Sequence, residues 1–238
     1  MLKAILFDLD GTLLPMHIDE FLKNYLQLLS QKMKSYIEPK DFVNQLMAAT
    51  AAMITDQDYQ KCNAEVFAEA FFTATGLDEE ELMPVFEDFY LNEYCSLGRN
   101  CRSLPVVQEI VYTVKQKGYK LVLATNPLFP LIAIEERIRW AGIQPEVFTF
   151  ITSYENMHAT KPNLQYYKEI VERINTAPEQ CLMIGNDVEE DLIAKTIGMQ
   201  TFLVEDYLLN RKNLPVLTDY RGNLESLLEF VKGLKECK

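Results

Sequence analysis

Leu2-Lys3-Ala4-Ile5-Leu6-Phe7-Asp8-Leu9-Asp10-Gly11-Thr12 is the stretch whose reading decides the fold. Its first six residues form an apolar run broken only by Lys3, as expected of a short strand buried on both faces. The last five change character: carboxylates at i and i+2, then glycine and threonine, residues that suit a tight turn leaving a strand. Outward from there the chain alternates. Further strands are expected at Lys120–Ala124, Val147–Thr152, Cys181–Ile184 and Gln200–Val204. Helical stretches separate them, near Pro105–Lys117, Leu131–Ala141, Asn163–Asn175 and Glu189–Ile197, and a last amphipathic helix lies near Leu224–Leu234. This alternation predicts an α/β fold, a Rossmann-like parallel sheet covered by helices on both faces.

From about Ile18 to Tyr94 the pattern is helical throughout. Phe21, Leu22, Tyr25, Leu28 and Leu29 recur at helical spacing, as do Phe42, Val43, Leu46 and Met47, then Val66, Ala70 and Phe71, then Leu82, Val85, Phe86 and Phe89. Glu38-Pro39 and Thr75-Gly76 read as stops between these helices. At about 150 residues per domain, 238 residues make one domain carrying an insertion, or two small ones. The expected division is an α/β core from 1–15 and 99–238, with an inserted helical cap at 16–98.

The chain is 48% hydrophobic and 24% charged, an ordinary globular composition. No apolar run approaches the roughly 20 residues of a membrane span, and the start lacks the features of a signal peptide, so no membrane partner is expected. Twenty-three basic against 35 acidic residues give a net charge of −12. That field repels nucleic-acid phosphates, although one local cation can still admit a small phosphorylated ligand. Five cysteines without CxxC spacing suit neither a disulfide framework nor a zinc site; free thiols in a cytoplasmic setting are expected. Oligomeric state leaves no mark in the sequence.

In parallel sheets ligands bind beyond the carboxyl ends of the strands, where the polar motifs of this chain fall. Asp8 and Asp10 follow the first strand, Thr125-Asn126 the second, and Gly185-Asn186-Asp187-Val188-Glu189-Glu190-Asp191 another, while Lys161 lies on the loop beyond Val147–Thr152. Two carboxylates so close repel each other unless a divalent cation lies between them. A nucleophile, a second carboxylate, a hydroxyl, a cation and a metal-binding acid are the parts required for phosphoryl transfer.

These motifs, in this order, resemble the four signatures of the haloacid dehalogenase-like (HAD) hydrolases: Asp8-Leu9-Asp10-Gly11-Thr12, Thr125-Asn126, Lys161-Pro162 and Gly185 to Asp191. They extend over most of the chain, and the helical insertion matches the position of the family's C1-type cap. The resemblance implies that Asp8 is the nucleophile that forms an aspartyl-phosphate and Asp10 the general acid and base, a second acid that haloacid dehalogenases lack. It implies that Lys161 neutralises charge on the transferring group. Leu9 (through its backbone N–H), Thr125, Asn126 and Lys161 would hold the phosphate. Mg2+ would bind the Asp8 carboxylate, the Asp10 carbonyl and a residue of the fourth signature. Here Asn186 stands between Gly185 and Asp187. With Asp187 as ligand the next acid, Asp191, falls at i+4; with Asn186 it falls at i+5. Asp187 is favoured because a carboxylate binds Mg2+ more strongly than an amide. Asp191 would orient Lys161, Thr12 would support Asp10 or the loop, and Glu189 and Glu190 are read as solvated acids at a helix start. His17 and His158 read as surface residues, and the insertion's aromatics as core.

The resulting expectation is a Mg2+-dependent phosphomonoester hydrolase acting on a small soluble phosphate ester. The alternatives are a phosphomutase with the same acid pair, a phosphonate hydrolase using a cap lysine such as Lys23, Lys32 or Lys34, and a non-catalytic phosphate-binding regulatory module.

Overall fold

A computed structural model describes residues 1–237. Its centre is a six-stranded, all-parallel sheet: β1 (Ala4–Phe7), β2 (Lys120–Leu123), β3 (Phe150–Ile151), β4 (Cys181–Gly185), β5 (Gln200–Val204) and β6 (Tyr220–Gly222), in the order β3-β2-β1-β4-β5-β6. All four residues of β1 are buried, so the alternation along it feeds two separate cores. Ile5 and Phe7 join one; Ala4 and Leu6 join the other, against Tyr166, Tyr167 and Ile170. The chain runs from β1 to β2 and β3 on one side, then returns to β4 on the other. Phe7 pairs with both Leu123 and Ile184, so the segments after β1, β2 and β4 emerge together at this switch point, where doubly wound sheets form their ligand crevice.

After β1 come four helices: α1 (Ile18–Met33), α2 (Pro39–Thr55), α3 (Asn63–Thr75) and α4 (Glu79–Asp88). α1 buries Phe21, Tyr25, Leu29 and Met33, one stripe at helical spacing. Glu38 caps α2 by accepting from the backbone N–H groups of Lys40 and Asp41, beside Pro39 at the first helical position. α4 continues into a π-helical turn at Phe89–Glu93 and a 3-10 stretch at Tyr94–Asn100. Phe71 is fully buried among Phe42, Phe67, Phe72 and Phe86. The start of α3 is tied to the sheet side of the molecule: Asn63 and Ala64 donate their backbone N–H groups to the carbonyls of Met157 and Tyr154, each at 2.8 Å.

The remaining helices are α5 (Pro105–Gln116), α6 (Leu131–Trp140), α7 (Leu164–Arg173) and α8 (Leu224–Gly233). Three expectations are corrected. The strand expected at Val147–Thr152 contracts to two residues, because Pro145–Val147 forms a 3-10 turn in front of it. The helix expected from Glu189 begins only at Leu192 and is 3-10, because the Asp187 carboxylate takes the N–H groups of Glu189 and Glu190 into a local turn. The three-residue edge strand β6 carries no apolar run, so periodicity gave it no signal. Among the described residues no helix is long and apolar enough to cross a membrane.

Phe71→Ala should lower unfolding stability by about 3–5 kcal/mol, since it empties the middle of that aromatic cluster; a urea titration of the two proteins measures it.

Candidate active site

Lys161 lies behind the wall of the crevice, holding Asp8 and Asp191 without lining the cavity itself. Its side chain is fully buried, and Nζ donates to Asp191 Oδ1 at 2.6 Å and to Asp8 Oδ1 at 3.0 Å. Burial disfavours its charge, but the two carboxylates more than compensate and hold its pKa well above the usual lysine value. The lysine therefore stays cationic. The other oxygen of each carboxylate is also engaged: Asp191 Oδ2 accepts from the Asp187 N–H at 2.9 Å, and Asp8 Oδ2 from the Thr12 hydroxyl at 3.1 Å. Asp191 lies so close to the end of β4 that a Cβ on Gly185 would come within 2.0 Å of its Oδ2. Only glycine admits that approach.

The Thr12 hydroxyl also lies 3.1 Å from Asn186 Oδ1, so Thr12 supports Asp8 and Asn186 rather than Asp10. Asn186 in turn donates to the Tyr207 carbonyl at 2.6 Å and packs against Gly11, whose φ of +84° and Cβ position 2.4 Å from Asn186 Nδ2 both call for glycine. Asp187 uses Oδ1 to cap its own turn and turns Oδ2 toward Arg211, 3.6 Å away.

Asp8, Asp10, Thr125, Asn126, Asn186 and Asp187 all line one cavity of about 220 Å³, roofed by Ile18 and Leu22 of α1. Glu190 lines it too, which corrects its reading as a solvated helix-start acid. Its side chain accepts from Asn126 Nδ2 at 3.2 Å, and its pKa is pushed up to about 8 by burial, with Asp191, Asp187 and Asp8 adding to the rise and Lys161 opposing it. Burial likewise raises the Asp191 pKa above the usual carboxylate value, against the pull of Lys161. Among the described residues no three acid, histidine or cysteine side chains converge closely enough to enclose a metal by themselves. Asn126 also accepts the Lys161 N–H at 3.2 Å and so braces the lysine. The Thr125 carbonyl is held by Thr152 and Tyr166, each at 2.8 Å. The Leu9 side chain is buried, and its carbonyl accepts the N–H groups of Thr12 and Leu14, which sets the turn.

Sequence reasoning missed Arg137. It is 1% exposed and ion-paired through Nη1 to Asp10 Oδ2. Its guanidinium lies 4.5 Å from the Phe129 ring centre and 5.6 Å from that of Phe21 on α1. A signal was present: Ala133, Ile134, Arg137 and Ile138 share the buried face of α6, a charge in the apolar stripe. Burial raises the Asp10 pKa above the usual carboxylate value although Arg137 pulls it down. The histidines stand apart from this chemistry. His17 is exposed and edge-on to Tyr207, and His158 pairs with Glu169 at 2.8 Å.

Comparison with known proteins agrees with this geometry. The family model for haloacid dehalogenase-like hydrolases matches residues 2–195, and the chain belongs to that family. It is 24% identical to the glyceraldehyde 3-phosphate phosphatase of Methanothermobacter thermautotrophicus over 99% of both chains. Among solved structures, a HAD phosphatase from Thermococcus onnurineus aligns at a TM-score of 0.60 with 20% identity, covering 99% of this chain and 100% of that one. The 2-haloacid dehalogenase of Pseudomonas syringae pv. Tomato DC3000 aligns equally well, at 0.60 with 19% identity over 98% and 99%. The protein is therefore a hydrolase whose fold alone does not select between these chemistries.

Two predictions concern the frame of the site. Gly185→Ala should destabilise the fold by about 1–3 kcal/mol, because the methyl group must displace Asp191; calorimetric unfolding reads the loss. Glu169 fixes the loop leading to Lys161 by accepting from the His158 N–H at 3.0 Å and from Arg173 at 2.8 Å. Burial works against its charge, yet these partners lower its pKa. Its contribution is therefore present above the unfolded carboxylate value, about 4.3, and disappears as pH falls through the lower folded value. Glu169→Gln should be less stable than wild type at neutral pH, with the two unfolding midpoints converging in acid.

Proposed function

We propose that this hydrolase cleaves small phosphate monoesters through an aspartyl-phosphate on Asp8. The observation that carries the reading is the second carboxylate: Asp10 lines the same cavity as Asp8, with a raised pKa and with Oδ1 free of any protein partner. Halide departs without a proton, whereas an alkoxide needs one, so an acid beside the nucleophile favours phosphoester over carbon–halogen cleavage. Similarity along the whole chain to a protein named for glyceraldehyde 3-phosphate supports a small ester.

In the first step an Asp8 oxygen attacks phosphorus, the ester P–O bond breaks, and Asp10 gives its proton to the leaving alkoxide. In the second, water attacks the phosphoaspartate, Asp10 takes the water's proton, and phosphate leaves with the Asp8 carboxylate restored. The Thr125 hydroxyl and the Leu9 N–H would donate to the phosphoryl oxygens, with Lys161 supplying positive charge behind Asp8 and Asn126, committed to Glu190 and the Lys161 backbone, bracing that lysine. Lys161 and Thr12 hold the Asp8 carboxylate in one orientation before attack.

Residues of the cavity fit a Mg2+ ion. Asp8 and Asp187 line the cavity together with Glu190, whose pKa their charges help to raise, and Mg2+ needs only one or two carboxylates because it keeps several waters. Asp8, the Asp10 carbonyl and Asp187 Oδ2 would hold it, whereas the Asn186 amide is already committed to Thr12 and Tyr207. Bound there, Mg2+ offsets the repulsion between the nucleophile and a phosphate dianion. Five free cysteines support a reducing, cytoplasmic setting.

The test is release of inorganic phosphate from a panel of small phosphate esters at neutral pH. Asp8→Asn should abolish turnover, Asp10→Asn should lower it by about 10²–10⁴-fold, and excess chelator should suppress it until Mg2+ is restored. Turnover that survives in Asp8→Asn would refute the covalent route, and conversion of a sugar phosphate to its isomer without phosphate release would make the protein a mutase.

A further inference from the structure

Arg211, on the segment after β5, has a fixed base and a loosely held head. Leu209 donates its N–H to the Asn186 carbonyl and accepts from the Val188 N–H, each at 2.9 Å, which fastens the segment across the loop carrying Asn186 and Asp187. One residue on, Asn210 closes a turn around Arg211: its Nδ2 donates to the Leu214 carbonyl at 2.9 Å and its Oδ1 accepts the Leu214 N–H at 2.8 Å. The guanidinium, by contrast, only approaches Asp187 Oδ2 at 3.6 Å and Asp19 Oδ1 of α1 at 3.7 Å, both beyond hydrogen-bonding reach, and the side chain is 54% exposed. Exposed pairs of this kind contribute little. Neither partner holds Arg211 against a competing anion, since Asp19 is 90% exposed and Asp187 is the carboxylate that would go to Mg2+ in the proposed mechanism.

The surroundings make that cation count. Arg211 lines the same cavity as Asp8, in a wall that also carries the carboxylates of Asp10, Asp187, Glu190 and Asp191. The other cation of the lining, Arg137, is 1% exposed and paired with Asp10. Lys161, behind the wall, is paired twice, and the neighbouring Lys212 is paired with Glu189. Arg211 is therefore the cation of this lining that a ligand meets from solvent.

We propose that Arg211 is a specificity-determining residue that binds a carboxylate on the leaving group, so that the substrate is a phosphorylated hydroxy acid. This rests on the phosphatase reading of the same cavity. A guanidinium presents adjacent N–H donors in a planar fork that a carboxylate matches with two parallel hydrogen bonds. The acidic lining would repel an anionic leaving group everywhere else, so the group is admitted where a local cation reverses the field. Charge also favours a carboxylate over a second phosphate, which would bring about two negative charges into that lining instead of a single one. The ion pairs to Asp187 and Asp19 already set carboxylates against this guanidinium, and a substrate carboxylate exchanges with them like for like. Because the backbone on either side of Arg211 is tied down, the exchange asks only the side chain to move.

The experiment measures kcat/KM for ω-phosphooxy carboxylates of two, three and four carbons, each against its uncharged amide, and the dissociation constants of the same pairs on Asp8→Asn by calorimetry. The carboxylate whose length reaches Arg211 should exceed its amide by about tenfold or more in both readouts, the size of one charged hydrogen-bonded contact. Added salt should narrow that ratio, because the contact is exposed. Arg211→Met should bring the carboxylate down toward its amide, and Arg211→Lys, which keeps the charge without the planar fork, should restore part of the difference. A merely structural role would move acid and amide together and leave their ratio alone. Equal use of acid and amide by wild type at all three lengths, a preference for the amides, a ratio that survives in Arg211→Met, or an equal loss on both in that variant would overturn the proposal while leaving the phosphatase reading intact. Should Arg211→Met fail to fold, Arg211→Gln carries the same test. No turnover of any of these esters, nor of an aryl phosphate, would remove the phosphatase reading and this inference with it.

Discussion

The buried ammonium of Lys161 between Asp8 and Asp191 is the interaction on which the rest of the site depends. A lysine withdrawn from water is tolerated only with its charge matched and its donors used, and removing one partner of such a pair typically costs several kcal/mol. Here the partners come from the ends of β1 and the loop after β4, adjacent strands of the sheet. The lysine thus locks together the two segments that the strand order brings side by side. Gly185 lets Asp191 lie against the strand end, and Asn126 anchors the backbone of Lys161. The same contact that stabilises the crevice holds the Asp8 carboxylate in place and, in the proposed mechanism, leaves positive charge near the phosphoryl oxygens.

A second buried ion pair, Asp10 with Arg137, is arranged differently. Lys161 is fully matched, whereas Arg137 and Asp10 each keep unbonded polar atoms. Phe21, near the start of α1, lies against Arg137, and Ile18 and Leu22 of the same helix roof the cavity. The helices after β1 therefore help shape the same cavity as the strand ends. Hydrogen bonds from Asn63 and Ala64 to the loop before Lys161 tie the insertion to that edge at a second point.

Much of this is legible in the sequence. The apolar run ending at Asp8 reads as a buried strand because parallel strands are covered on both faces. Asp191 was read as the residue that orients Lys161, and it does so at 2.6 Å. Elsewhere the local signal was wrong or silent. Glu190 looked solvated because an acid following Asp187 and Glu189 suits a helix start, but the Asp187 carboxylate turns the chain so that Glu190 faces the cavity. Thr12 is expected to support Asp10 or the loop, and its hydroxyl meets Asp8 and an asparagine 174 residues away.

The sequence by itself determined the α/β class, the helical insertion and the group of polar residues at the strand ends, because periodicity and turn chemistry are local properties that a short window expresses. Tertiary structure alone decided the partners: Lys161 with both Asp8 and Asp191, Asn126 with Glu190, and above all Arg137 with Asp10, 127 residues apart. Those pairings follow from strand order and from the way α6 packs beneath α1. A charge set in the apolar stripe of a helix signals that a partner exists; only the folded chain supplies it.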